Sequence, residues 1–257
     1  SENISSFLPD AAEKARRLDA LRRHLQRLEG GGSRPAVPVG LPGIDAALGG
    51  GLVTAAVHEV LARPRDGAAT GFVLVLLARL AAAAGDARPM LWCGRRIDLY
   101  GPGLAASLDP RRLVLVEARK AAELLWVMEE GLRCPDVAAV VGELDRLDLT
   151  AGRRLQLAAE AGGATGLVLR PTGSGTAEGG ASAAVTRWRI AAAPGSGPES
   201  PGGPMPRFLG SACWRVELLR CRGGRPGDWM VEWHDATGDL ALAAALRDRP
   251  APAQAAG

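Results

Sequence analysis

At 257 residues and 47% hydrophobic, the chain can form one large α/β domain, or two small ones, with a substantial buried core. No run of about 18 uninterrupted apolar residues reads as a membrane span; the nearest, Gly71 to Gly85, holds Arg79, and SENISSFLPDAAEKARR lacks the apolar core of a signal peptide, so a cytoplasmic protein is expected. The net charge is only +3, and Lys14 and Lys120 are the only lysines; in so Ala- and Gly-rich a chain the arginine excess fits a GC-rich genome, so only local clusters point to nucleic acid.

Residues 10–29 read as a helix. Leu18, Leu21, Leu25 and Leu28 recur at a 3,4,3 spacing on one face, bordered by Arg16, Arg17, Arg22, Arg23 and Arg27. Such a face either packs on its own domain or docks another protomer or partner. At under two heptads it is too short for a stable coiled coil alone. Gly30, Gly31, Gly32 and Ser33 end the helix, and Pro35 and Pro38 follow, so residues 1–36 form a helix and linker. In VGLPGIDAALGGGLVTAA (39–56), Leu41, Ile44 and Leu48 make a short amphipathic helix, and Gly49-Gly50-Gly51 forces a tight turn.

Val57 to Leu61 suits a buried strand and Phe72 to Ala84 a long helix. Between them, EVLARPRDGAATG (59–71) has the setting of a phosphate-binding loop without its chemistry. In a working loop, backbone N–H groups cradle the phosphates, a Lys reaches the β and γ oxygens, and a Ser or Thr holds Mg²⁺. Here Ala62 takes the first Gly position and Gly67 keeps the second. Ala68 and Ala69, before Thr70, stand where the Lys and Ser/Thr belong. Alanine supplies neither ammonium nor metal ligand, so ATP hydrolysis is not expected and no cofactor is required. Arg63, Arg65 and the helix N-terminus at Phe72 remain as groups able to hold an anion such as ATP.

Further strand-like runs fall at 89–93, 113–117, 137–142, 166–170, 184–192, 213–221 and 229–234, with helical patterns at 70–84, 121–133 and 151–162. Their early alternation predicts an α/β fold, a mostly parallel sheet with right-handed crossovers flanked by helices. The continuous apolar runs LVLV and VAAVV suit strands buried on both faces. WRVEL (214–218) and WMVEW (229–233) alternate apolar and polar residues around RGGRPGD, which reads as an antiparallel hairpin. Residues 193–206 read as a mobile loop, and 243–257 as a disordered tail.

The short helix with its Asp, LGGGL, and a Glu-bearing strand leading into the loop resemble the RecA superfamily. HEVLA, GAATGF, LWCG, DLYGPGLAASLDPRRLVLV, AELLWVMEEGLRC, VVGEL, LDLTAGRRLQLAAEAGG, TGLVLR, SAAVTRWRIAAAP, WRVELLRCRGGRPGDW and VEWHDATGDL, in that order, resemble its ImuA branch. This resemblance covers residues 37–242 and implies a RecA-like core there. It also implies a place in a damage-inducible (SOS) mutagenesis cassette for translesion synthesis. The implied partners are an ImuB-like Y-family protein, itself tied to the sliding clamp, and an error-prone C-family DNA polymerase, with RecA as a further candidate. On that reading the chain is a non-catalytic scaffold, and the Leu18, Leu21, Leu25 and Leu28 face is the first candidate for partner binding. The kinship leaves two alternatives open: an ATP- or DNA-binding modulator of RecA recombination, and a SulA-like inhibitor of cell division.

The resemblance allows the NTPase positions to be read one by one. The carboxylate expected after the second strand is missing from LWCGRR (91–96). Gly142 stands where a metal-side Asp should end its strand, followed by Glu143, with Asp145 two residues on. GLVLRP (166–171) has no phosphate-sensing Gln. Phosphoryl transfer depends on these groups for positioning and charge. Of the two DNA-binding loops of RecA-like recombinases, the first looks deleted at GELDRLDLT, and the second, PTGSGTAEGGAS (171–182), holds no base. The candidate DNA-binding residues are therefore C-terminal: Arg207, Arg215, Arg220, Arg222 and Arg225, with Trp214 and Trp229 nearby. His24, His58 and His234 are scattered. Cys93, Cys134, Cys213 and Cys221 form no CxxC pair and read as small buried hydrophobes, so no metal site is expected. Glu129 and Glu130, adjacent on a helix, point apart and make no acid–base pair.

Overall fold

The computed structural model describes residues 35–64, 66–85, 88–99, 104, 108–172, 181–194, 212–234 and 239–242. The helix expected over 10–29 and the tail 243–257 lie outside them. At the start, β1 (Ala36–Val37) and β2 (Leu52–Val53) pair as a small antiparallel ribbon around α1 (Pro42–Leu48). Both carboxylate oxygens of Asp45 accept backbone N–H groups, from Val39 at 2.7 Å and Gly40 at 3.1 Å, which ties α1 to the incoming chain. Gly49, Gly50 and Gly51 then have φ of 84°, 124° and 143°, a run of left-handed values that only glycine takes without strain.

The core strands and helices follow in alternation: β3 (Val57–Ala62), α2 (Ala68–Ala84), β4 (Met90–Gly94), β5 (Leu113–Glu117), α3 (Ala121–Arg133), β6 (Ala139–Glu143), α4 (Leu149–Gly162), β7 (Thr165–Pro171) and β8 (Thr186–Ala193). The hairpin β9 (Cys213–Cys221) and β10 (Gly227–His234) comes next, then β11 (Asp239–Leu242). One nine-stranded sheet runs β11-β10-β9-β8-β3-β7-β6-β4-β5. From β8 to β5 every pairing is parallel, and β9, β10 and β11 add antiparallel strands beyond β8. This is the α/β architecture expected, a mostly parallel sheet extended by C-terminal antiparallel strands, consistent with a RecA-like core. Each predicted strand and helix from 57 to 234 lies within two residues of its observed ends. The ribbon β1–β2 and the edge strand β11 were not anticipated; elements of two to four residues carry too few side chains to show a period.

Two apolar layers sandwich the sheet. On one face α2 packs Phe72, Leu76 and Leu77 against Trp188, Trp92 and Val216, with the Phe72 and Trp188 rings 5.5 Å apart. On the other, α3 and α4 bring Leu124, Met128, Leu132 and Leu155 against Val57, Val140 and Val168. Buried Glu129 on α3 receives Arg133 from its own helix and Arg154 from α4, joining the two helices. Among the described residues no helix is long and apolar enough to cross a membrane.

The central strand β3 is buried along its whole length and carries two polar residues there. Glu59, only 1% exposed, accepts from Arg187 Nε on β8 at 2.7 Å and from Ser182 Oγ at 2.9 Å, while Arg170 Nη1 on β7 approaches to 3.5 Å. Its neighbour His58 faces the opposite way into a neutral chain of hydrogen bonds. Trp188 Nε1 donates to Thr186 Oγ1 (2.7 Å), that hydroxyl lies 2.7 Å from His58 Nδ1, and His58 Nε2 donates to Val53 O (2.8 Å). Burial lowers the His58 pKa from 6.5 to about 4, partly opposed by the bond to Val53. At a pH above 6.5 His58 is neutral whether folded or not. As pH falls from 6.5 toward 4, the unfolded chain takes up a proton that the folded one refuses, so stability drops. The expected contribution is about 1.4 kcal/mol per pH unit in that window. Urea unfolding across it should show this slope, and His58→Gln should remove that component.

Candidate functional site

The degenerate loop leaves the C-terminal end of β3 at Ala62 and enters α2 at Ala68. Asp66 N donates to Arg63 O at 3.1 Å, which closes the turn. The methyl groups of Ala62, Ala68 and Ala69 belong to the buried apolar cluster beneath α2, so the Lys and Ser/Thr positions now fill core. Gly71 lies under the indole of Trp214; a Cβ there would come within 2.7 Å of the ring. Thr70 is half-buried, Arg63 is exposed, and Arg65 lies outside the described residues.

Asp66 changes the electrostatics of this end of the helix. Its Oδ1 accepts from Ala68 N at 2.9 Å, at the first turn of α2, and its Oδ2 accepts from Ala192 N on β8, also at 2.9 Å. A working loop offers such N–H groups to phosphate. Here one already holds an anion belonging to the chain. A second negative charge about 4 Å away would be repelled by about 1 kcal/mol in bulk water and about 4 kcal/mol at an effective dielectric of 20. The helix macrodipole returns only about 0.3–1 kcal/mol at an exposed site. The Asp66 carboxylate thus opposes a second anion at this turn.

The remaining NTPase positions are occupied in the same way. Gly142 near the end of β6 packs directly on Met128 of α3, and a Cβ added there would collide with Met128 Sδ. Glu143 follows, but its Oε1 accepts from Trp92 Nε1 at 2.7 Å, and burial raises its pKa while that bond lowers it. After β4, Arg95 pairs with Asp145 at 3.2 Å. At the end of β7, Arg170 is turned inward toward Glu59. Among the described residues no group of three His, Cys, Asp or Glu side chains is placed to hold a metal. Glu129 and Glu130 are both ion-paired with Arg133. Cys93 and Cys213 are buried, and burial pushes the Cys93 thiol up to about 12, which makes it inert.

The C-terminal arginines do not form one surface. Strand alternation places Trp214 and Trp229 on the α1–α2 side, Trp214 stacked on Trp233 at 6.2 Å, whereas Arg215 faces the other way. There Arg215 pairs with Asp228 at 2.6 Å and Glu217 at 3.3 Å, and Arg189 also reaches Glu217. Arg220 and Arg222 instead donate to Ser182 O (2.7 Å) and Ala183 O (3.3 Å). Arg225 is exposed on the β9–β10 turn, and Arg207 lies outside the described residues, as do Leu18, Leu21, Leu25 and Leu28. Sequence reasoning missed the sheet edge β5, where Val114 is 46% and Leu115 50% exposed. LVLV was read as a strand buried on both faces, but β5 is the last strand of the sheet and pairs only with β4 among the described residues.

No family model matches the chain. It is similar to Protein ImuA of Caulobacter vibrioides strain NA1000 / CB15N, with 44% identity over 220 residues, covering 80% of this chain and 87% of that protein. Protein ImuA of strain ATCC 19089 / CIP 103742 / CB 15 matches to the same extent. The chain belongs to the ImuA family. In this ImuA-family chain the nucleotide positions are held by packing and internal bonds, which gives each a cost of change. Gly142→Ala should destabilise by about 1–3 kcal/mol through overpacking against Met128. Asp66→Ala should cost about 1 kcal/mol through loss of its hydrogen bonds from Ala68 N and Ala192 N. Urea unfolding of the two variants checks this order.

Proposed function

We propose that the chain is a non-catalytic, RecA-like accessory protein of damage-inducible mutagenesis. In this role it scaffolds an ImuB-type Y-family-like protein and the error-prone C-family polymerase during translesion synthesis. Family membership supports the process, since ImuA proteins belong to such a cassette. The observation that carries the non-catalytic half is Asp66, a carboxylate seated where phosphate would bind, above Ala68 and Ala69 buried in the core. A fold whose nucleotide site is filled by its own side chains has no ligand to switch it and serves best as a rigid platform. The β5 edge of the sheet, where Val114 and Leu115 are exposed, is the kind of apolar surface a platform offers to partners. The leucine face of residues 18–28 is proposed as a docking element alongside it.

Affinity purification of the tagged protein from DNA-damaged cells, followed by mass spectrometry, tests this reading. The expected result is recovery of the Y-family-like protein and the error-prone polymerase, reduced when Leu18, Leu21, Leu25 and Leu28 are all changed to Ser. Recovery of the division protein instead would favour the SulA-like alternative. Recovery of RecA and DNA alone would favour the recombination modulator. Either would overturn the scaffold.

A further inference from the structure

A cleft of about 510 Å³ opens between α4 and the end of the sheet where β8 begins and β9 ends. Three arginines line it: Arg153 from α4, Arg220 from β9 and Arg222 just beyond it. Leu149 and Leu157 supply apolar wall, and Leu157 is 64% exposed. Gln156 and Ser182 complete the polar lining.

The charge here is one-sided. Among the described residues no Asp or Glu lines the cleft. Arg220 and Arg222 spend hydrogen bonds only on the neutral carbonyls of Ser182 and Ala183, which fixes their guanidinium groups without cancelling their charge. Arg153 is exposed and makes no ion pair among the described residues. The flanking acids on α4 are engaged elsewhere: Asp148 accepts from Ala151 N, and Glu160 accepts from Gln156 Nε2. Behind the cleft wall, Ser182 Oγ donates to Glu59, whose single negative charge stands against both Arg170 and Arg187, so the interior adds positive charge.

We propose that this cleft binds an acidic peptide segment carrying an apolar side chain, with its carboxylates on Arg153, Arg220 and Arg222 and its apolar group on Leu149 and Leu157. Arginine's forked donors match carboxylates bidentately. The alternative anion of this size is a nucleic-acid strand, which favours an extended groove with aromatic stacking platforms. Among the described lining residues none is aromatic and two are leucine, so the peptide fits better. As the chemistry of one docked segment, the inference takes its biological meaning from the scaffold reading, while binding itself is tested separately.

The test is fluorescence anisotropy of the full chain with a fluorescein-labelled peptide alternating aspartate and leucine. The same peptide with asparagine for aspartate serves as control, and an unlabelled oligo-thymidine strand as competitor. Saturable, salt-sensitive binding is expected, weakened at least about tenfold by Arg153→Glu, the loss of one desolvated charge pair. Leu157→Asp should weaken it as well. Both positions are exposed, and unchanged thermal unfolding will show that the fold survives. Failure to saturate, equal affinity for the asparagine peptide, or indifference to Arg153→Glu would overturn the proposal. Oligo-thymidine binding in preference to the peptide, and lost in Arg153→Glu, would assign the cleft to nucleic acid and overturn it too. Partner recovery from cells without peptide binding would sink the cleft alone; peptide binding without partner recovery would sink the scaffold alone.

Discussion

Glu59 is a charge that cannot be left unpaired. It lies on the central strand of a nine-stranded sheet, 1% exposed, and its compensation comes from the two strands on either side. Arg187 on β8 and Arg170 on β7 close on it from opposite directions, with Ser182 filling the remaining acceptor capacity. Breaking such a buried pair by removing one partner typically costs about 3–5 kcal/mol. The network therefore fixes which strands flank β3, and with them the crossover that brings β8 beside the degenerate loop. Asp66 can reach Ala192 only because β8 is held there.

The same exchange recurs at every position where a RecA-like NTPase would need open chemistry. Charge and space that could serve a nucleotide serve the fold instead. Asp66 ties the start of α2 to β8, Ala68 and Ala69 pack the core, Met128 covers Gly142, Trp92 binds Glu143, and Arg170 turns inward to Glu59. The chemistry that remains lies at the surface, in the exposed apolar edge of β5 and the arginine-lined cleft beside α4.

Local pattern made much of this legible in advance. Apolar runs such as VAAVV, the period of residues 70–84 and 121–133, and the alternation in WRVEL and WMVEW place the strands and helices from side chains close in sequence. The missing Lys and Ser/Thr at Ala68 and Ala69 were equally visible. What stayed hidden depends on distant contacts. Asp66 could be read as a helix cap from its place just before Gly67 and Ala68, but its second bond lies 126 residues away on β8. Glu59 finds its arginines 111 and 128 residues away. The cleft is assembled from α4, the chain before β8 and the end of β9, so Arg153 could not be grouped with Arg220 and Arg222 from spacing. LVLV misled for the same reason: composition shows that a strand is apolar, not that it ends a sheet.

The most direct test of the central claim is isothermal titration of the purified chain with Mg-ATP, run alongside Asp66→Ala. A loop that holds its own carboxylate and lacks the Lys and Ser/Thr should give no saturable heat with either protein up to millimolar nucleotide, because removing Asp66 restores neither the ammonium nor the metal ligand. Saturable micromolar binding by the unaltered chain, lost when Arg63 is replaced, would show that the loop still holds phosphate and would contradict the account.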